Sequence, residues 1–181
     1  LSGTCALAQT PAAPATPASA PTGPAVRPDM GKPLIEAQTL LNEKKYPEAK
    51  EKLKLASAFA DKSAYENYLI SLLSLNVAVN EDDAPNAGKF MEQLLTLNAA
   101  GQWAKPADVV IMLQNVGVVH YRAKDYAAAA SWMERNLKEG GNSTAAKNVR
   151  IQSYALAGNF QRTTELAEEE IGLAHKEGRA P

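Results

Sequence analysis

Val109-Val110-Ile111-Met112-Leu113-Gln114-Asn115-Val116-Gly117-Val118-Val119-His120-Tyr121-Arg122-Ala123-Lys124-Asp125-Tyr126-Ala127-Ala128-Ala129-Ala130-Ser131-Trp132-Met133 decides the fold. Val109, Met112, Leu113, Val116, Gly117 and His120 recur at three and four residues, which is one face of a helix. Ala129, Met133 and Leu137 do the same after a break at Lys124-Asp125. Two helices joined by so short a turn must lie antiparallel.

The same pattern recurs along the chain. Lys124-Asp125-Tyr126-Ala127-Ala128-Ala129 matches Gly158-Asn159-Phe160-Gln161-Arg162-Thr163, with the two aromatics 34 residues apart. Lys44-Lys45-Tyr46-Pro47-Glu48-Ala49 is a third copy. Each copy reads turn, aromatic, two residues, small residue. Fixed-period self-similarity is the mark of a stacked repeat. Around these turns the helices read Leu34–Glu43, Tyr46–Ala60, a segment from Tyr65 to Val79, and one carrying Ala87, Met91 and Leu94. Ser63 and Glu66 form a capping box, and Asp83 is positioned as a cap. Ser143 or Asn142 caps a helix running through Val149, Tyr154 and Leu156; Gly158 ends it, and Phe160 opens another. No segment has the period of a strand.

These residues resemble the tetratricopeptide repeat (TPR) family over about residues 29–181. Val116-Gly117, Tyr121, Tyr126, Ala129 and Met133 match its pattern best, with Asn136 departing where the family has a small residue. Ala37, Leu40, Tyr46, Ala49, Leu53 and Ala56 match in the first unit; Tyr154, Gly158 and Phe160 match in the fourth, where Thr163 replaces the crossing alanine. The second unit is degenerate: Leu75, Ala87, Met91 and Leu94 belong to it, with Ala84 in the place of the aromatic. The expected architecture is all-α: an α-solenoid of about four antiparallel helix pairs in a right-handed superhelix. The crossing positions need Ala or Gly because the paired helices approach closely.

The first 28 residues read differently. Ala6-Leu7-Ala8 before Gln9 fits the cleavage site of a signal peptide, making 1–8 the end of a leader and the protein periplasmic or otherwise exported. Lipid anchoring at Cys5 is the lesser alternative, because Thr4 and Leu1 are wrongly placed for a lipobox. Residues 9–28 hold six of the eleven prolines and one charge, Arg27, and read as an extended spacer.

Composition narrows the function. With 19 Lys+Arg against 20 Asp+Glu, the chain has no nucleic-acid footprint. One cysteine and two histidines leave no metal cage, no apolar run is long enough to span a membrane, and no catalytic motif or cofactor fingerprint is present. His120 reads as a packed side chain, His175 as a helix-end cation, and Glu168-Glu169-Glu170 as a solvated face. Trp132 is expected against a neighbouring helix. Trp103 is either a wedge between units or an exposed anchor.

The resemblance implies a concave groove lined by the first helix of each pair. By the family pattern Gln38, Leu41, Leu72, Asn76, Gln114, Asn115, Val118, Tyr121, Arg122, Asn148 and Gln152 face it. Amides hydrogen-bond a peptide backbone without selecting charge. The expectation is a non-catalytic adaptor or scaffold that holds a protein or extended peptide, with no cofactor and no metal. The alternative is the N-terminal part of a longer array, acting by self-association through its last helix or by packing on further repeats, since Pro181 reads like the start of another unit.

Overall fold

The structure, a computed structural model, describes residues 24–178. The leader 1–8 with Cys5, the spacer up to residue 23, and residues 179–181 lie outside the described residues. Eight helices follow one another: α1 (Pro28–Asn42), α2 (Tyr46–Ser57), α3 (Ala64–Asn80), α4 (Ala84–Gly101), α5 (Pro106–Arg122), α6 (Tyr126–Lys138), α7 (Thr144–Leu156) and α8 (Phe160–Lys176). No strand occurs among the described residues. Neighbouring helices pack on each other in four pairs, giving an all-α solenoid.

The turn inside each pair is the same object four times. Lys44, Asp82, Lys124 and Gly158 stand at φ 60°, 54°, 61° and 80°. Each lies two residues before the next helix. In each, the following residue donates its N–H back five positions, as Lys45 does to the Leu40 carbonyl (2.8 Å), Asp83 to Ala78 (2.9 Å), Asp125 to His120 (3.0 Å) and Asn159 to Tyr154 (2.9 Å). These are Schellman closures. The donating residue is also the N-cap of the next helix: Asp83, Asp125 and Asn159 accept from Asn86, Ala128 and Arg162 N–H groups. One residue therefore ends one helix and starts the other. Ala84 fills the structural place of the turn aromatic, so the second unit obeys the same geometry with a different side chain.

Packing follows the turn. Ala49, Leu53 and Ala56 of α2, then Ala87, Met91 and Leu94 of α4, are buried at equivalent positions. In α6 these positions are Ala129, Met133 and Asn136. Asn136 is no flaw there. Its Nδ2 donates to the Val110 carbonyl of α5 (2.6 Å), and Gly141 leaves it room, since a Cβ on Gly141 would stand 2.2 Å from its Oδ1. Gly117 lets α5 meet α6 closely; a Cβ there would stand 2.8 Å from the Met133 Cε. α3 is apolar on several sides because it serves two clusters. Ile70, Leu73 and Val77 pack towards α1 and α2, whereas Tyr68, Leu75 and Ala78 pack towards α4 and α5. In α8 the equivalent positions hold Thr163, Ala167 and Glu170, and the buried residue is Leu166, one place earlier.

The fold starts earlier than the spacer boundary at residue 28. Helix α1 begins at Pro28, whose fixed φ suits a first helical position, and runs through Pro33. Pro33 removes only the bond to the Asp29 carbonyl. Val26 packs on the α1–α3 cluster. Arg27 donates from its backbone N and Nε to Glu66 Oε1 (3.0 Å each) and from Nη2 to Oε2 (3.2 Å). Glu66 is 1% exposed and also completes the capping box by accepting from Ser63 N–H (2.8 Å). The Arg27 side chain, the Arg27 amide and the Ser63 amide together hold its carboxyl at about 2, below the ordinary 4.5.

Two predictions follow from these contacts. Gly158→Ala puts a Cβ at positive φ and is expected to destabilise by about 1 kcal/mol, while Lys124→Gly stabilises by up to about 1 kcal/mol, both read from thermal melts. Folding lowers the Glu66 pKa, so its stabilisation is complete above about pH 4.5 and is lost as pH falls through about 2. Arg27→Met should therefore flatten the fall in melting temperature between pH 4.5 and 2; an unchanged slope would show that Glu66 is not the group involved.

Candidate functional site

The order of contacts defines two faces. α1 touches α3, α3 touches α5 and α5 touches α7, while the backbones of α2, α4, α6 and α8 stay apart and are bridged only by side chains, Arg135 to Glu92 and Arg162 to Glu134. Helices that share contacts along the array lie on the inside of its curve. The first helices of the pairs therefore form one continuous face and the second helices stand apart on the other.

The residues expected on that inner face divide by their contacts. Gln38 and Leu72 line a hollow of about 300 Å³ between α1 and α3, with Val26, Leu34, Ile35 and Leu69. Ile35 is 69% exposed at its edge. The Gln38 amide also donates to Asn42 Oδ1 (3.2 Å). Asn76 Nδ2 donates to the Leu72 carbonyl (2.9 Å), and Asn80 links back to the Tyr46 hydroxyl (3.2 Å). Tyr121 and Gln152 come together across α5 and α7, the hydroxyl donating to Oε1 at 3.1 Å, with the Tyr121 ring against Tyr126 at 5.6 Å. Arg122 turns to Asp82 in the preceding turn (2.9 Å). Val118 is half-buried. Asn115 and Asn148 are exposed and make no side-chain hydrogen bond among the described residues.

Two residues sit elsewhere. Leu41 is buried in the α1–α3 cluster and does not face the groove, because α2 and α3 close over it. Gln114 is half-buried and accepts from the Ser143 hydroxyl (2.7 Å), which itself accepts from Ala146 N–H (3.0 Å). This makes Ser143, not Asn142, the cap of α7, and it uses the Gln114 carbonyl internally.

The aromatic and titratable residues are packed. His120 is buried, its Nδ1 is 3.0 Å from Asp125 Oδ2, and its ring stacks on Trp132. Trp132 in turn carries the Arg135 guanidinium over its face at 4.4 Å. Trp103 lies against Tyr65 and Tyr68, with ring centroids 5.4 and 5.3 Å away, so it wedges α3 against the α4–α5 connection. Glu168 and Glu169 are exposed, and Glu170 is joined to Lys147 (3.2 Å).

A larger hollow, of about 1080 Å³, lies on the opposite face between α2 and α4, with α3 as its floor. The periodicity that locates α3 gives no hint of it. The sequence signal is the pair Ser71 and Ser74, two small polar residues inside the apolar run from Tyr68 to Leu75.

The fold thus defines a helix-pair solenoid with two chemically different faces. No family model matches the chain, and no curated protein matches it.

Trp103→Ala removes the ring packed on Tyr65 and Tyr68 of α3 and is expected to cost about 2–4 kcal/mol of stability in urea unfolding. A change below about 0.5 kcal/mol would mean the ring is an unloaded surface group.

Proposed function

We propose that this protein is a non-catalytic, TPR-like interaction module that holds a protein segment or extended peptide along its inner face, as an adaptor or scaffold in the bacterial envelope. The observation that carries this reading is the continuous face of α1, α3, α5 and α7, which presents free amides at Asn115 and Asn148 and an apolar hollow at Ile35, Gln38 and Leu72. Free amides offer a donor and an acceptor to an extended backbone, and the hollow receives one apolar side chain. Tyr121 and Gln152, already joined across two units, give that face a rigid aromatic anchor. Envelope placement rests on the Ala6-Leu7-Ala8 cue, outside the described residues.

The test is crosslinked capture from an envelope extract with the full chain as bait and a triple variant, Tyr121→Ala, Arg122→Ala and Gln152→Ala, as control. Circular dichroism must first show equal helicity. Loss of a captured protein with the variant is the expected outcome; identical capture by both baits overturns the inner-face assignment.

A further inference from the structure

The hollow on the outer face and the last helix of the array carry complementary chemistry. The floor of the hollow is Ile70, Ser71, Ser74 and Val77 of α3, and its walls include Leu53 of α2 and Phe90 and Leu97 of α4. Ser71 and Ser74 are only 6% and 8% exposed, yet neither hydroxyl makes a hydrogen bond among the described residues. Both oxygens remain reachable from the hollow, so each can donate to an occupant. The α2 side of the rim carries Lys50, Lys54 and Lys62, with Lys50 paired to Glu81 and Lys54 to Glu51 (2.9 Å), while Asp83 and Glu92 stand on the α4 side. Lys62 donates only to the Ser57 and Phe59 carbonyls and has no carboxylate partner among the described residues. The α4 wall runs from Asn86 to Leu97, about 16 Å at the helical rise.

Helix α8 has the matching features. It packs on α7, reaches α6 through the Arg162–Glu134 ion pair (3.6 Å), and buries Leu166 and Ala174. Phe160 and Ile171 are 70% and 45% exposed. They are 11 residues apart, again about 16 Å along the axis. Phe160, Thr164, Glu168 and Ile171 fall at helical spacing on one stripe, apolar at its ends and polar between. The floor has the same order over a shorter run, Ile70, Ser71, Ser74 and Val77 spanning about 10 Å. Glu168 and Glu169 have no ion-pair partner among the described residues.

We propose that α8 of one copy seats in the α2–α3–α4 hollow of a second copy, with Phe160 and Ile171 on its apolar ends, Glu168 towards the Ser71 and Ser74 hydroxyls, and Glu169 towards Lys54 and Lys62. An amphipathic helix laid in an apolar groove is an established recognition mode, and hydroxyl donors are what a carboxylate needs when it leaves water. The occupied surface is the outer face, so the inner face stays open and the self-association is independent of peptide binding.

The test uses the full chain in sedimentation velocity from about 1 µM to 1 mM, together with a labelled peptide of residues 156–178 titrated against the full chain by fluorescence anisotropy. Concentration-dependent species of two or more copies, weakened by salt, are expected, and the peptide is expected to bind and to dissociate them. Phe160→Asp with Ile171→Asp lies on exposed positions; in the full chain it should abolish self-association, and in the peptide it should abolish binding to the unaltered chain. Lys54→Glu with Lys62→Glu should weaken peptide binding by about tenfold. A peptide carrying Glu168→Lys and Glu169→Lys should restore binding to that charge-reversed chain. A chain that is monomeric throughout and does not bind the peptide overturns the proposal. So does self-association that survives the α8 double variant, or charge reversal without rescue.

Discussion

Every helix pair hangs on three residues whose middle member sits at positive φ. Lys44, Asp82, Lys124 and Gly158 each reverse the chain so tightly that the N–H closing the first helix belongs to the residue capping the second. Crossing positions are thereby fixed relative to the turn. The fifth and ninth residues after the positive-φ residue must meet the partner helix, which is why they are Ala and Leu or Met in the first three units. The connections between pairs carry no such shared device and differ in length, so the spacing of units varies while the interior of each unit does not.

Three of the polar residues buried in this array are tied across the chain. Asn136 holds the Val110 carbonyl, Glu66 gathers Arg27 and the Ser63 amide, and His120 meets Asp125 beneath Trp132. Each sits where two elements join, so each specifies a contact as well as tolerating burial. The Arg27–Glu66 bond makes the last residues of the Pro-rich stretch part of the fold, since it ties them to the start of α3.

The two faces differ because the two kinds of helix differ in their neighbours. The first helices share contacts along the array and present amides and one small apolar hollow. The second helices stand apart, and between α2 and α4 that separation leaves a larger hollow over α3. Between α4 and α6 the equivalent space is filled: Trp132 lies there beside His120 and Gly88, and Arg135 pairs with Glu92 across it.

The helices, their caps and their pairing were legible in the chain, because apolar periodicity, capping boxes and turn residues act over three to seven positions. Ser63, Asp83 and Gly158 mark boundaries that hold in the structure. The early start of α1 was hidden by Pro33 and by a partner, Glu66, 39 residues away. Likewise, nothing local said that Gln114 would be used by Ser143, that Leu41 would be covered, or that Trp103 would choose Tyr65 and Tyr68 over solvent. The sequence alone determined an all-helical stack of pairs. Only the tertiary structure decided which side chains remain free on its faces and where a hollow opens, since both depend on distances between helices that no local period encodes.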